Sequence, residues 1–362
     1  MKVSESSSKP TRDLRLDLLK AIAICFVLYL HFQPILFSES TQLNRSIPWI
    51  VSRTVWVFSN QFTMGAVPLF IIVSLFLGYR KLTKNIDYLK KRAIRLLKLF
   101  GFWAIVQSGI YFIVVAAIAA QNLNTQIPAW NQLTVLWLGG PSLPLVGDSV
   151  LYFLMVLIVL SALLWLYENY IPHALKNPLS IALVVLFVIY FQISKLLDYQ
   201  IPYWRLDNFL IYIPIVYFLV HKTEKIVKFK YLFLFLYIAI SLQDLILMKQ
   251  GNILNIYGRS SMVWMALTLF GLVYSFNLQN LPAIVRFLSK YSLGIFATHK
   301  YWQLAFWSGA NYLHAEYNVT KFIPLFNGDF NFLRLAYTSL AVMFTCLGVR
   351  LLAETPLKKF VG

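Results

Sequence analysis

The chain has 362 residues, 59% of them hydrophobic and only 13% charged, and its net charge is +18. So apolar a composition excludes an ordinary water-soluble fold. In a soluble protein the charge would suggest nucleic acid; among long apolar runs it reads as the Lys and Arg excess of cytoplasmic loops, with a lipid bilayer and no nucleic acid as partner.

Apolar runs of about 20 residues, enough to cross a hydrocarbon core, recur throughout and do not alternate as barrel strands do. The expected fold class is all-α: a polytopic membrane protein of about ten transmembrane helices. They fall near 17–37, 55–79, 97–120, 150–168, 178–197, 208–221, 231–248, 260–276, 291–308 and 333–353. Residues 1–16 form a polar leader with no prompt small-residue cleavage site, so the first span is read as retained. Residues 17–356 read as a single membrane-embedded domain and 357–362 as a cytoplasmic tail. With the N-terminus placed inside, 23 of the 32 Lys and Arg fall on inner segments, and the outer stretch 121–149 has none. Both termini are therefore expected to be cytoplasmic. Cys25 and Cys346 lie in apolar runs and read as packing residues.

Lys20 and His31 interrupt the first span, "LLKAIAICFVLYLHFQPILF". The offset of eleven residues turns a helix about 20° past three full turns, so both share one face, about 16 Å apart along the axis. Lys20 snorkelling to the inner surface and His31 bonding a neighbouring helix is the plain alternative. The functional one is a buried imidazole acting as a general base. The second span, "VPLFIIVSLFLGYRKL", carries Ser74. At the inner mouth of the third, "YLKKRAIRLLK" sets Arg92 and Arg95 on one helical face. They are either topogenic charges among lipid headgroups or a paired guanidinium site for phosphate.

Asp148 marks the outer lip of the fourth span, in "GDSVLYFLMVLIVL", and Arg205 with Asp207 that of the sixth, in "IPYWRLDNFLIYIP". Ser74, Asp148 and Arg205 are candidates for substrate contact, with helix caps or interfacial anchors as the alternative. His299 lies within the ninth span, "KYSLGIFATHKYW", followed by Lys300. A second embedded histidine weakens the case for accident, although an interhelical hydrogen bond also accounts for it. No P-loop, CxxC, HExxH, GxSxG or acidic cluster is present, so no metal site and no bound cofactor is expected.

In this order the pieces resemble the acyltransferase-3 family of integral membrane O-acyltransferases. The resemblance rests on Lys20, ten residues and His31 in "RLDLLKAIAICFVLYLH", and on Arg92-Ala-Ile-Arg95. It also rests on "LFIIVSLFLGYR", on "YFL" at Tyr152 to Leu154, on "SLGIFATH" ending at His299, and on Glu354-Thr-Pro356. Two positions depart from the family pattern: Leu75 stands for a glycine after Ser74, and Phe296 for a tyrosine before His299. The first is expected to reshape a cavity, and the second removes a hydroxyl.

The resemblance implies an acyl group, usually acetyl, taken from cytoplasmic acyl-CoA as donor substrate. The acceptor would be a hydroxyl of a carbohydrate, cell-surface or lipid-linked, and the location the inner (plasma) membrane. It implies His31 as general base, Arg92, Arg95 and Lys20 on the CoA phosphates, and His299 polarising the thioester carbonyl or orienting the acceptor. The rival is a transporter or flippase for a polysaccharide or lipid-linked sugar, against which stands the lack of an internal repeat.

Overall fold

The computed structural model describes residues 13–32, 57, 61–120, 150–317 and 332–361. All regular structure among them is helical. A helix occupies each of the ten apolar segments: α1 (Leu14–Phe32), α2 (Ala66–Leu82), α3 (Ile86–Ala120), α4 (Tyr152–Tyr170), α5 (His173–Leu196) and α6 (Tyr212–His221) come first. After the six-residue α7 (Thr223–Lys228) follow α8 (Lys230–Lys249), α9 (Ser260–Tyr274), α10 (Ala283–Lys290), α11 (Ser292–Tyr317) and α12 (Phe332–Ala353). The short α7 and α10 were not expected from apolar runs, because neither is long or apolar enough to read as a span.

The membrane reading follows from what the helices leave uncovered. Among the described residues, α4, α5 and α8 are long and apolar enough to cross a membrane. On α5, Ile181, Leu186 and Ile193 are exposed, and on α8 Phe235, Leu242 and Ile246. Continuous apolar faces of this kind are stable against lipid and not against water. Both helices still meet the body through a polar tie. Lys195 Nζ lies 2.9 Å from Asp244 Oδ1, both side chains are almost fully buried, and Ser261 Oγ donates to the other Asp244 oxygen at 2.5 Å.

The "YLKKRAIRLLK" segment, read from the sequence as helical, lies in the opening turns of α3. Asn85 caps this helix, its side-chain oxygen accepting from the Asp87 amide at 2.8 Å. With 35 residues, α3 rises about 52 Å, against about 30 Å of hydrocarbon. The helix is thus longer than the core, and its Lys and Arg residues, Lys90 to Lys98 with Arg92 and Arg95 among them, all fall toward its N-terminal end.

Beyond α12, Thr355 caps a 3-10 helix over Pro356–Phe360, its hydroxyl accepting from the Leu357 amide. Pro356 suits the start of a helix, where no amide donor is needed. This segment folds back into the body: Trp103 Nε1 donates to the Phe360 carbonyl at 3.0 Å, and the Phe360 ring stacks on Phe102 at 4.0 Å.

Candidate active site

A cavity of about 320 Å³ lies between α1, α2, α3, α4, α10 and α11. Five cationic residues line it: Lys20 from α1, Arg92 and Arg95 from α3, Lys290 from α10, and Lys359 from the 356–360 helix. No carboxylate is among the described residues that line it. The Lys20, Arg92 and Arg95 expected to hold phosphates thus share one cavity. Lys290 and Lys359 were counted only as inner-side charges, and nothing in their local sequence sets them apart from the other lysines.

The two arginines are placed differently. Arg92 is tied down: Nε donates to Ser161 Oγ at 3.1 Å, and Nη2 donates to Ser74 Oγ at 2.8 Å and to the Ser74 carbonyl at 3.3 Å. Ser74 therefore positions the guanidinium and joins α2 to α3, while Ser161 adds α4. Gly78 clears the space, since a Cβ there would lie 3.2 Å from Arg92 Nη1 and 2.8 Å from Leu82 Cδ1. Leu75 is fully buried and is not among the cavity's lining residues. Arg95 is exposed and makes no ion pair among the described residues. Lys20 Nζ lies 3.8 Å from Asp17 Oδ1, and Ser289 Oγ of α10 donates to that same oxygen at 2.7 Å. Asp17, a buried carboxylate between α1 and α10, was not singled out from the sequence.

Three aromatic rings pack against one another in the cavity lining. Phe153 lies 5.2 Å from Phe296, and Phe70 lies 6.1 Å from Phe153 and 6.2 Å from Phe296, between ring centres. All three line the cavity. Behind them, the Phe296 ring is 5.9 Å from that of His299, which is fully buried. The rings of His31 and His299 are 4.8 Å apart, inclined at 37°. Neither histidine lines the cavity. The tyrosine-to-phenylalanine departure at Phe296 thus sits in the layer between the basic cavity and the histidine pair.

The backbone sets the state of His299. Its Nδ1 lies 2.7 Å from the Phe296 carbonyl oxygen. A carbonyl only accepts, so in the neutral ring Nδ1 carries the hydrogen and Nε2 presents its lone pair. Nε2 is buried and has no hydrogen-bond partner among the described residues. Such a ring accepts a hydrogen bond through Nε2. It cannot donate one from there to a carbonyl. His31 is half-buried, and its backbone carbonyl accepts from Gln303 Nε2 at 2.5 Å, which joins α1 to α11 beside the pair.

The remaining expected residues do not come together here. Arg205 Nη2 is 2.8 Å from Asp207 Oδ2, Nη1 donates to Tyr199 at 3.1 Å, and Arg205 does not line the cavity. Asp148 lies outside the described residues. Among the described residues no group of three His, Cys, Asp or Glu could hold a metal ion.

A family model described as an acyltransferase domain, that of acyltransferase-3, matches residues 13–353. No curated protein and no solved structure matches the chain.

Proposed function

The chain belongs to the acyltransferase-3 family, and from that premise we propose that this membrane acyltransferase moves a short acyl group, acetyl being the expected one, from acyl-CoA to a carbohydrate hydroxyl. The observation that carries the donor assignment is the cavity whose described lining holds five cations, no carboxylate and a cluster of phenylalanine rings. A phosphate-rich nucleotide suits the cations, and a pantetheine arm suits the apolar depth.

In the proposed reaction His31 takes the proton of the acceptor hydroxyl. The oxygen attacks the thioester carbonyl, the C–S bond breaks, and the imidazolium returns its proton to the departing thiolate. His299 orients rather than polarises. With Nδ1 held by the Phe296 carbonyl, its Nε2 accepts from either the acceptor hydroxyl or the His31 ring. The acceptor is a surface or lipid-linked sugar, the donor enters from the cytoplasm, and the protein resides in the inner membrane.

The test uses purified protein in nanodiscs with [14C]acetyl-CoA and surface glycan from cells lacking the gene. The expected result is label on the glycan with one equivalent of free CoA thiol per ester formed. Glycan that crosses a sealed proteoliposome without being acylated would overturn the assignment in favour of transport.

A further inference from the structure

The 356–361 segment is built into the cavity wall. Val361 is fully buried against Gly294 of α11, where an added Cβ would lie 2.7 Å from the Val361 carbonyl oxygen and 2.8 Å from its Cβ. Glycine is required there by this close approach. With the Phe360 ring stacked on Phe102 and the Phe360 carbonyl held by Trp103, the segment is fixed between α3 and α11 by three contacts. Val361 is buried and Leu357 and Phe360 are half-buried, while Lys359 is exposed and lines the same cavity as Arg92 and Arg95.

A topogenic lysine needs no such anchoring, because any flexible basic segment satisfies the inside preference. Here Lys359 and Lys290 have no carboxylate partner among the described residues, and none of the described residues lining the cavity they share with three other cations is a carboxylate. Like charges converging on one cleft raise the local potential and favour a polyanion over any single phosphate.

We propose that the docked 356–361 segment is one wall of the donor site, and that Lys359, together with Lys290, binds phosphate groups at the nucleotide end of acyl-CoA opposite Arg92 and Arg95. The inference rests on the donor reading above and adds a requirement to it: the segment must be seated on Gly294 for the donor to bind tightly.

The experiment measures CoA and dephospho-CoA binding to the full-length protein in nanodiscs by calorimetry, with KM and kcat for acetyl-CoA alongside. Lys359→Ala and Lys290→Ala should each weaken CoA binding about 3- to 10-fold and flatten its salt dependence, with the effect falling on KM. Lys359→Arg should restore affinity. Gly294→Ala should reproduce the loss while keeping every charge, because its Cβ displaces Val361. Should Gly294→Ala fail to fold, Phe360→Ala, which removes only the stacking ring, takes its place. Wild-type affinity and salt dependence in both lysine variants would overturn the proposal while leaving the donor reading intact. A wild-type protein that binds no CoA would overturn both.

Discussion

His31 on α1 and His299 on α11 stand with their imidazole centres 4.8 Å apart, and the Phe296 ring, which lines the basic cavity, lies 5.9 Å from that of His299. The pairing gives the two rings separate chemical parts. Nδ1 of His299 is committed to the Phe296 carbonyl, whereas the carbonyl of His31, and not its ring, is engaged by Gln303.

If His31 is the base, His31→Ala should cut acyl transfer by about 10²–10⁴-fold while CoA binding is retained. His31→Gln keeps a hydrogen-bonding side chain of similar reach but takes no proton, and should be equally inactive. Radiolabel transfer at matched membrane abundance is the measurement. Near-normal activity in the glutamine variant would return His31 to an interhelical role.

Arg92 and Arg95 should respond differently to lysine. Arg92→Lys keeps the charge but loses the forked grip on Ser74 and Ser161, so the melting temperature should fall along with CoA affinity, for a loss of about 1.5–3 kcal/mol. Arg95→Lys should melt normally and bind CoA nearly as well. Equal melting temperatures for the two variants would show that the serine contacts add nothing.

The phenylalanine layer should act as a barrier to water. Phe153→Ala opens a gap in it, and should raise acceptor-independent release of CoA from acetyl-CoA relative to transfer, at a stability cost of about 3–5 kcal/mol. Phe153→Leu, which fills most of the space, should show the milder form of both effects. A thiol assay with and without glycan reads the ratio. An unchanged ratio in a folded Phe153→Ala protein removes the barrier role.

Breaking the buried ion pair should destabilise without touching chemistry. Asp244→Asn leaves the Lys195 charge buried with only neutral acceptors, and should cost about 3–5 kcal/mol in thermal or denaturant unfolding. Transfer per folded molecule should stay at the wild-type level. Loss of activity out of proportion to unfolding would place the pair in the mechanism.

Topology is open to direct labelling. With Cys25 and Cys346 replaced by alanine, Glu5→Cys and Lys358→Cys should react with a membrane-impermeant maleimide from one side, and Asn131→Cys from the other. Asn131→Cys labelled from the same side as Glu5→Cys would refute the assignment.

Hydrophobic run length announced the long helices, because crossing lipid takes about 20 consecutive apolar residues. The Lys20–His31 spacing was legible too, since both residues lie on one helix and its pitch fixes their relation. What lay beyond the sequence depends on helices crossing. Nothing local to His299 reveals that it meets His31, and nothing in Arg92-Ala-Ile-Arg95 reveals that one guanidinium is gripped by serines while the other is exposed. Lys359 looked like the other inner-side lysines because its placement is set by Phe360, Val361 and Gly294, whose packing partners are far away in the chain.

The three-ring layer also bears on bioenergetics. A cell membrane stores a proton-motive force, and a continuous file of water through a protein would short-circuit it. An apolar partition of packed rings stays dry, so if the donor enters from the cytoplasm as proposed, an acyl group passing Phe70, Phe153 and Phe296 would leave with no ion leak beside it. The gradient would survive each turnover, and the energy for the export would be that of the thioester alone.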